Sequence, residues 1–460
     1  MFSKILVANR GEIALRVIRA CKEADIKSVG VYSEADSESL HLQLADETVC
    51  IGPGPSAKSY LSIDAIIQAA KDTGADAVHP GYGYLAEKAE FAIACAENGL
   101  VFIGPTPENL AMAGDKIAGK KAMVAAGVPV IPSSPGGIPD IEAAKAFCKE
   151  IGYPVMIKAS AGGGGRGIRV CQNEEELAEE FPVARMEAKV AFANDEIFIE
   201  RFITQPRHIE FQILADQHGN VIHLGERECT IQRRYQKLIE ESPSPALTPE
   251  LRKTMGDAAI RAAKAINYVN AGTVEFLLDP NGDFFFIEIN SRIQVEHPVT
   301  ELTTGIDLVR EQIELAAGKR LDYDFDSLTI NTWAIECRIN AEDPERNFMP
   351  SPGTIKTYRP PGGTGVRLDT HLYEGYELPI FYDSMVAKLI TYSSTRESAI
   401  RIMKRALAEF QVTPLKTTIP LYLQVMNDPD FQAGNFDTSY ITRFVPDDED
   451  DDDDDDEDDE

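Results

Sequence analysis

The sequence predicts a protein that combines α/β and α+β domains, the first of them built on an open parallel sheet. A short apolar strand (Lys4–Ala8), an amphipathic helix (Gly11–Glu23) and a second strand (Lys27–Tyr32) form a βαβ start. Short strands then alternate with helical segments, as at Ala77–His79 and Leu100–Ile103. Such alternation is typical of an open parallel sheet with helices on both faces. The pattern then changes to a glycine-rich loop, a long helix and strands joined by hairpin turns, which predicts a second architecture.

Three changes of pattern divide the chain into four segments. We expect an N-terminal parallel-sheet domain, a central domain with the glycine-rich loop, a C-terminal mixed α+β domain and a tail, covering residues 1–115, 116–330, 331–446 and 447–460. Predicted strands at Thr332–Asn340 and Met385–Thr391, with a helix at Arg396–Phe410, define the third domain. All fourteen residues of the tail are acidic. They cannot bury apolar surface and they repel one another, so we expect a disordered polyanion.

The composition excludes several classes of protein. The 460 residues are 43% hydrophobic, which is enough for several packed cores. The net charge is −30, and the chain without its tail is still acidic, so it would repel nucleic acid. No apolar run approaches the roughly 18 residues of a membrane span and the first residues lack a secretory pattern, so we expect a cytoplasmic protein without membrane contact. The seven cysteines form no C-x-x-C pair, which predicts buried, reduced thiols.

A glycine-rich loop in the central segment predicts a phosphate site. The apolar strand that begins at Pro154 leads through Lys158 into five glycines between residues 162 and 167. Glycines let successive backbone N–H groups point into one concavity, and the lysine supplies a positive charge. A flexible linker is the alternative, but apolar strands on both sides, the second at Ile168–Cys171, disfavour it. The loop lacks the Gly-Lys-Ser/Thr ending of a P-loop, so we expect it to bind the nucleotide in a different way.

A predicted hairpin after the loop brings two acids together. A four-residue turn at Pro280–Asp283 would set Glu275 opposite Glu288. Two facing carboxylates repel each other unless a proton or a cation lies between them. Asn290 adds another oxygen on the same face, and such all-oxygen ligands near a phosphate loop suit Mg²⁺ bound together with ATP. A register shift of one residue would instead give an ordinary solvated strand face.

Polar side chains continue at every second position beyond this hairpin. They are Glu288, Asn290, Arg292, Gln294 and Glu296. In one straight strand these eight steps would span roughly 26 Å, which is too far for a single small site. The segment must therefore bend, with metal ligands first and the pocket of a small second substrate after them. Arg292 is the candidate anion clamp of that pocket, and Glu296 is its candidate base.

Four cationic residues are concentrated between Glu226 and Lys237 of this acidic protein. Such a cluster favours an anion site. A surface strand with salt bridges explains the same pattern equally well, and both hypotheses are kept.

Several motifs occur in an order that resembles the biotin carboxylase family of ATP-grasp enzymes, over residues 1 to about 445. Besides the glycine-rich loop, they are Ala8-Asn-Arg-Gly-Glu-Ile-Ala14, His79-Pro-Gly-Tyr-Gly-Tyr-Leu85, Gly114-Asp-Lys116, Gln232-Arg-Arg, Gln236-Lys237, Arg292-Ile-Gln-Val-Glu-His297 and Glu336-Cys-Arg-Ile-Asn-Ala-Glu342. One such motif would be weak support, whereas seven in order are specific. The resemblance implies that the central domain is an ATP-grasp domain with a mobile lid at about residues 132–203.

The resemblance also implies which residues bind each ligand. ATP would be bound by Lys116, Lys158, Gly163, Gly164, Gly165, Glu200, His208, Gln232 and Tyr235, and Mg²⁺ or Mn²⁺ by Glu275, Glu288 and Asn290. Bicarbonate would be surrounded by Lys237, Arg292, Gln294, Val295 and Glu296, and Arg338 would face biotin. Tyr82 and Gly83 follow a predicted parallel strand, where open sheets place ligands, so we expect them to contact bicarbonate or biotin; a turn without function is the alternative. The chain departs from the family at Tyr235, which is commonly His, and at Arg201, which is commonly Lys. Both departures concern contacts with the nucleotide.

The resemblance implies a mechanism as well. Glu296 would take the proton of bicarbonate, whose oxygen then attacks the γ-phosphorus of ATP to give carboxyphosphate. Carboxyphosphate breaks into CO₂ and phosphate, and the phosphate removes the N1 proton of biotin. Arg338 would stabilise the enolate-like ureido oxygen, and closure of the lid would exclude water. Lys237 and Arg292 complete the expected catalytic set.

The expected partner is a second chain that carries biotin. The Met-Lys-Met turn of carrier domains is missing, and the nearest sequence, Met403-Lys404, lies in a helical pattern. We therefore expect a separate biotin carboxyl carrier and carboxyltransferase chain as partner, and by resemblance a homodimer of this chain. The overall sequence, including the segment Val412–Ile419, resembles the biotin carboxylase subunits of two-subunit pyruvate carboxylases. The biotin carboxylase subunit of an acetyl-CoA or propionyl-CoA carboxylase is the alternative.

Two further hypotheses concern the class of protein. A catalytically silent ATP-grasp subunit would bind nucleotide and act as a regulator or scaffold for its partner. Another ATP-grasp ligase, acting on an amino acid or a purine precursor, would use the same hairpin. The complete set of acid, base and cations disfavours the first hypothesis, and Arg338 with its surroundings disfavours the second.

Overall fold

The protein is described by a computed structural model that covers residues 1–159, 168–192, 195–323 and 330–445. The glycines of the predicted phosphate loop and the acidic tail lie outside these described residues. Contacts within the chain divide it into two compact units. The first combines Met1–Gly127, Arg207–Glu275 and the described residues from Glu288 onward, and the second combines Val128–Pro206 with Phe276–Ile287.

The first unit opens with alternating strands and helices. They are β1 (Lys4–Val7), α1 (Gly11–Glu23), β2 (Lys27–Tyr32), α2 (Leu40–Leu44), β3 (Glu47–Cys50), α3 (Ile63–Thr73), β4 (Ala77–His79), α4 (Ala89–Glu97), β5 (Val101–Phe102), α5 (Pro107–Gly114) and α6 (Lys116–Ala125). The strands form a parallel sheet in the order β3-β2-β1-β4-β5. Within β1, Ile5 and Val7 pack in one hydrophobic core and Leu6 in another, so both faces of the sheet are covered. The predicted open parallel sheet is confirmed.

The second unit is built on a small antiparallel sheet. Its elements are α7 (Ile141–Ile151), β6 (Val155–Ala159), β7 (Ile168–Cys171), α8 (Glu174–Phe192) and β8 (Ile197–Arg201). β6 lies in the centre, between β7 and β8. Val155 and Ile199 of this sheet share a buried cluster with Ala144 of α7 and Phe181 of α8. The unit therefore has a core of its own, in the part of the chain for which a lid is expected.

The rest of the chain is rich in antiparallel strands. The central part continues with β9 (Arg207–Ala215), β10 (Val221–Arg233), β11 (Gln236–Ser242), α9 (Pro249–Ala265), β12 (Asn270–Leu278), β13 (Phe284–Asn290), α10 (His297–Thr304) and α11 (Leu308–Ala316). The C-terminal third adds β14 (Trp333–Asn340), β15 (Glu342–Asp343), β16 (Met349–Pro350), β17 (Gly353–Thr354), β18 (Thr357–Arg359), β19 (Val366–Thr370), β20 (Glu377–Leu378), β21 (Met385–Ser393), α12 (Arg396–Glu409), β22 (Gln411–Thr413), α13 (Ile419–Asn427) and α14 (Pro429–Ala433). Short 3₁₀ helices are formed by Glu34–Asp36, Ser56–Lys58, Pro344–Arg346 and Tyr440–Phe444. None of the helices within the described ranges has both the length and the apolar character needed to cross a bilayer.

An eight-stranded sheet joins the central part to the C-terminal third. Its order is β13-β12-β9-β10-β11-β14-β21-β19, and β11 pairs with β14 in antiparallel register, with Glu240 opposite Glu336. Ile335 and Cys337 of β14 belong to the large hydrophobic core of the C-terminal third. Because side chains alternate along a strand, Glu336 and Arg338 project from the other face of β14. This alternation places Arg338 on the polar side of the sheet.

Candidate active site

One largely buried ammonium group gathers three carboxylates. Lys237, at the start of β11, has its Nζ 2.6 Å from an oxygen of Glu210, 2.8 Å from Glu275 and 2.8 Å from Glu296. The lysine side chain is 11% exposed, and none of the three acids exceeds 5%. The strand order β12-β9-β10-β11 brings the first three residues together from distant parts of the sequence. The fourth, Glu296, directly precedes α10.

Opposite charges keep Lys237 and Glu296 ionised, although burial disfavours both charges. Burial lowers the pKa of Lys237, but the attraction of the three carboxylates outweighs it and holds that pKa well above its ordinary value. Burial raises the pKa of Glu296, but Lys237 and Arg338 more than compensate and hold it below the ordinary range. Lys237 is therefore a cation and Glu296 an anion at neutral pH.

Arg338 extends the cluster on the polar face of β14. Its Nη2 lies 2.9 Å from Oε2 of Glu296, and its Nε lies 2.6 Å from Oε1 of Glu240. Lys237 contacts the other oxygen of Glu296, Oε1. Each oxygen of Glu296 therefore has its own cation. The pKa of Glu240 shifts in the opposite direction, because burial raises it to about 7 against the attraction of Arg338.

Two of the three predicted metal ligands are in direct contact. Asn290, at the end of β13, donates from Nδ2 to Oε1 of Glu275 at 2.8 Å, and Gln294 donates from Nε2 to the same oxygen at 2.9 Å. Glu288, the third predicted ligand, is half-buried and lies two residues before Asn290 on the same strand. Residues two apart in a strand share a face. Glu288 and Asn290 therefore share one face of β13, and Asn290 contacts Glu275.

The hairpin turn between β12 and β13 differs from the prediction. The N–H of Asp279 donates to the carbonyl of Asp283, and the N–H of Gly282 donates to the carbonyl of Asp279. The turn therefore holds three residues, and its last one, Gly282, has a φ of 89°, which glycine adopts most easily. The predicted four-residue turn is wrong, because a Pro-Asn-Gly sequence suits either turn length. The predicted pairing of Glu275 with Glu288 was based on a four-residue turn, so the observed turn does not support it.

The polar alternation predicted through Glu296 stops at Asn290, where β13 ends. The chain then turns before Glu296, which caps the start of α10. The predicted bend is confirmed. His297, the first residue of this helix, is buried, and its Nδ1 lies 2.8 Å from the carbonyl of Gln294. This contact gives His297 a structural role at the start of the helix.

Arg292, the predicted anion clamp, lies in the turn between the metal ligands and Glu296. Its Nη2 lies 3.3 Å from the side-chain oxygen of Asn290, and its Nη1 lies 3.3 Å from that of Gln294. Its Nε lies 3.1 Å from a carboxylate oxygen of Glu87. The Arg292 side chain is 20% exposed, so it is open to solvent and to a small anion.

The predicted nucleotide residues that the structure describes are divided between the two units. In the first unit, Nε2 of His208 lies 2.9 Å from Oε2 of Glu275. In the second unit, Lys158 of β6 and Glu200 of β8 form an ion pair. The side chain of Lys116 and the three glycines Gly163, Gly164 and Gly165 lie outside the described residues.

The β10–β11 hairpin carries two further predicted nucleotide residues. Gln232 stands opposite Lys237 in the antiparallel ladder. Tyr235 lies in the two-residue turn and is 84% exposed. Both turn residues, Arg234 and Tyr235, have positive φ values, of 47° and 64°. Such values match a type I′ hairpin turn, which the sequence did not signal because neither residue is Gly, Asn or Asp.

The cationic cluster between Glu226 and Lys237 is split between the interior and the surface. Arg227 is fully buried, with its Nε on Glu210 and its other nitrogens on Gln212, Thr273 and Thr300. The surface-strand hypothesis is therefore wrong for Arg227 and for Lys237. Glu210 and Arg227 are site residues that sequence reasoning missed. The signal was present in β9, where polar residues alternate with apolar ones in a strand that is buried on both sides.

The loop that carries Tyr82 and Gly83 is fixed from two sides. The hydroxyl of Tyr82 donates to the carboxylate of Glu12, a buried residue of α1. The side chain of Asn9 donates to the carbonyls of Pro80 and Tyr82, both at 2.7 Å. Gly83 has a φ of 68° and is exposed. The loop therefore has a defined shape after β4, at the end of the sheet where ligands of open α/β sheets bind.

Comparisons with known proteins cover almost the whole chain. Three family models match it, namely "Biotin carboxylase, N-terminal domain" over residues 1–110, "Carbamoyl-phosphate synthase L chain, ATP binding domain" over 115–324 and "Biotin carboxylase C-terminal domain" over 336–443. Biotin carboxylase 1 of Bacillus subtilis is 54% identical over 445 residues, which cover 96% of this chain and 99% of that protein. A pyruvate carboxylase subunit of Methanothermobacter thermautotrophicus is 53% identical over 444 residues, which cover 96% of this chain and 90% of that protein.

A solved structure agrees with this result. It is the biotin carboxylase domain dimer of Hydrogenobacter thermophilus 2-oxoglutarate carboxylase, in complex with MgADP, ADP and bicarbonate. It is 51% identical to this chain with a TM-score of 0.86, and the match covers 96% of this chain and 98% of that one. With more than half of the residues identical over nearly the full length of two relatives, this chain belongs to the biotin carboxylase family of ATP-dependent ligases.

Proposed function

We propose that this protein carboxylates biotin held by a separate carrier chain, with bicarbonate as the carboxyl source, ATP as the energy source and carboxyphosphate as the intermediate. The observation that carries the proposal is the position of Glu296 between Lys237 and Arg338, one cation on each carboxylate oxygen. A base for bicarbonate and a cation for the ureido oxygen of biotin are thus adjacent. The family to which the chain belongs supports the same activity.

Glu296 is the proposed base. Its lowered pKa keeps it ionised, so it can accept a proton, but the same ion pairs make it a weak base. A bicarbonate ion beside Lys237 would share this cation with Glu296. The attraction that holds Glu296 in its charged form would then decrease, and its affinity for a proton would rise. Binding of bicarbonate would in this way make Glu296 a stronger base for the proton that bicarbonate loses.

The donor set near Glu275 fits Mg²⁺, and Mn²⁺ suits the same oxygen ligands. Glu275 and Asn290 are within hydrogen-bond distance, and Glu288 shares a strand face with Asn290. These three residues would hold the metal, and when bound it neutralises charge on the phosphate oxygens of ATP. In the structure the ammonium of Lys237 and the side-chain amides of Asn290 and Gln294 donate to Glu275. The related structure with MgADP supports this assignment.

The proposed ATP-binding residues are those that the resemblance implies, and the structure describes them within each unit by itself. Lys158 would contact phosphate oxygens, and its ion pair with Glu200 limits where its ammonium group can lie. The compact second unit, with its own core, supports a lid at about residues 132–203. The ranges of the three family models support domains that divide near residues 115 and 330.

We propose that the chain is the biotin carboxylase subunit of a two-subunit pyruvate carboxylase. The 53% identity to a pyruvate carboxylase subunit supports this assembly, as does the segment Val412–Ile419. Biotin would arrive on the other subunit, which holds the carrier and the carboxyltransferase, and the dimer in the related solved structure supports a homodimer of this chain. The corresponding subunit of an acetyl-CoA or propionyl-CoA carboxylase is the second candidate. The proposed place of action is the cytoplasm, where ATP and bicarbonate are both present.

Steady-state ATP cleavage tests the activity. The purified chain should cleave ATP in a bicarbonate-dependent manner that free biotin stimulates. Glu296→Gln should remove that dependence, while Glu374→Gln, at an exposed site, should behave like the unsubstituted chain. Cleavage that ignores bicarbonate and biotin would indicate the catalytically silent scaffold instead. Co-purification of the natural partner, followed by assays with pyruvate and with acyl-CoA esters, would identify the acceptor.

A further inference from the structure

Lys388 is a buried lysine that has no place in the proposed chemistry. It lies on β21, between Arg338 of β14 and Asp369 of β19 in the sheet register. Its side chain is 0% exposed. A charge withdrawn from water is costly unless nearby groups compensate it, so the partners of this ammonium indicate what it does.

Three partners surround the ammonium. Its Nζ donates to the backbone carbonyl of Val295 at 3.0 Å and lies 3.3 Å from Oε2 of Glu12. Asp369 is farther away, at 3.9 Å, and makes a shorter ion pair of 2.7 Å with Arg367. Glu12 and the Val295 carbonyl are therefore the main partners of Lys388.

These two partners belong to the two halves of the proposed site. The Val295 carbonyl is part of the peptide unit that leads directly into Glu296, so an anchor on this carbonyl also limits the orientation of the proposed base. Glu12 accepts a hydrogen bond from the hydroxyl of Tyr82 on its other oxygen, Oε1. One ammonium thus links the turn predicted for bicarbonate to the loop predicted to contact bicarbonate or biotin.

We propose that Lys388 is a positioning residue, which holds the Val295–Glu296 peptide in the orientation that bicarbonate activation needs and, through Glu12, fixes the Tyr82 loop relative to that turn. This inference rests on the proposed function. The simpler alternative is that Lys388 only neutralises the buried carboxylate of Glu12. The two roles predict different effects on turnover when the charges of Lys388 and Glu12 are removed together.

A pair of variants separates the two roles. Lys388→Met removes the ammonium and leaves Glu12 buried without a close cation, so both stability and turnover should fall. In the double variant Lys388→Met with Glu12→Gln, the buried carboxylate of residue 12 is removed together with the ammonium, and the amide oxygen at residue 12 still accepts from Tyr82. Melting temperature, kcat and the KM values for bicarbonate and ATP would be measured for both variants. Lys416→Met, at an exposed loop position, is the matched control.

The positioning role predicts that the double variant regains its melting temperature but keeps a loss of about 10- to 100-fold in kcat/KM for bicarbonate, with KM for ATP unchanged. Recovery of bicarbonate turnover together with stability would overturn it. Amide hydrogen exchange of the segment 291–297 gives a readout that needs no turnover, and it should be faster in the double variant than in the control. Unchanged exchange there would also overturn the proposal. A complete lack of bicarbonate-dependent ATP cleavage in the unsubstituted protein would refute the proposed function, while the exchange data would still decide the role of Lys388.

Discussion

Nη2 of Arg338 lies 2.9 Å from Oε2 of Glu296, so the cation proposed for biotin and the base proposed for bicarbonate are paired in the structure. This ion pair would couple the two half-reactions that we propose. A biotin that draws Arg338 away would weaken the attraction that keeps Glu296 charged. The stimulation of ATP cleavage by free biotin that we expect would have its physical basis in this contact.

Replacing Arg338 should change the pH dependence of turnover. Arg338 and Lys237 hold the pKa of Glu296 below its ordinary value against burial. In Arg338→Gln the pKa of Glu296 should rise, so activity should disappear at a higher pH than in the unsubstituted protein as the solution is acidified. The acid limb of kcat/KM for bicarbonate, measured without biotin, reports this shift. Carboxylation of biotin itself should fall on the order of 100-fold, and an unmoved acid limb would refute the coupling.

Glu296 and Glu288 should differ in what their loss affects. Glu296→Ala should abolish bicarbonate-dependent turnover with little change in nucleotide affinity, because Glu296 is a base and its partners are Lys237 and Arg338. Glu288→Ala should weaken the use of MgATP itself. Titration with a nucleotide analogue at several Mg²⁺ concentrations measures both effects. If the two variants lost nucleotide affinity equally, the assigned division of roles would be incorrect.

Glu336 should favour its neutral form. Its side chain is fully buried opposite Glu240, and within the described part of the chain neither of its oxygens has a hydrogen-bond partner. Burial raises its pKa well above 4.5, so its contribution to stability is complete below that pH and is lost as pH rises through the higher value in the folded protein. Glu336→Gln mimics the neutral acid.

The melting temperature of Glu336→Gln, relative to the unsubstituted protein, should therefore be higher at about pH 8 than at about pH 5. Thermal unfolding followed by circular dichroism across this range tests the expectation. A variant that is less stable at every pH would mean that Glu336 is ionised and pairs with a nearby cation.

Buried histidines should make the protein sensitive to acid. Burial lowers the pKa of His41 and His223 to about 4, and that of His79 and His371 to about 3. In the unfolded chain these groups take up protons near pH 6.5, whereas in the folded protein they do not. Stability is therefore complete above that pH and falls as pH drops toward the folded values.

The melting temperature should accordingly decrease between about pH 6.5 and about pH 5, and His371→Gln should make this decrease smaller. His218, which is exposed, offers the control His218→Gln, which should leave the slope unchanged. An identical slope in both variants would show that His371 does not contribute.

Local sequence patterns were sufficient for much of the fold. The predicted helix Gly11–Glu23 and strands Lys27–Tyr32 and Ala77–His79 have the observed bounds, because apolar periodicity and turn residues determine them within a short window. The first predicted strand is one residue too long, since β1 ends at Val7, although the N–H of Ala8 still donates to the carbonyl of His79. Turn length was harder, as the three-residue turn at Gly282 shows.

The site was less accessible to such reasoning. The motifs indicated Lys237, Glu296 and Arg338, which the structure brings together. Glu240 was missed because its role depends on which strand lies beside β11, and strand order is not a local property of sequence. Lys388 was missed for the same reason, since only the folded chain places it near Glu12.

The pairing of β11 with β14 has a consequence for protein engineering. The two strands come from segments that different family models match, yet they are neighbours in one sheet, and Glu240 contacts Arg338 across that seam. Grafting the last third of a homologue onto this protein would therefore replace one side of a continuous hydrogen-bonded ladder. A functional chimaera must inherit both strands of the seam from the same parent, so recombination is better placed outside β11–β14 than at the gap between the matched segments.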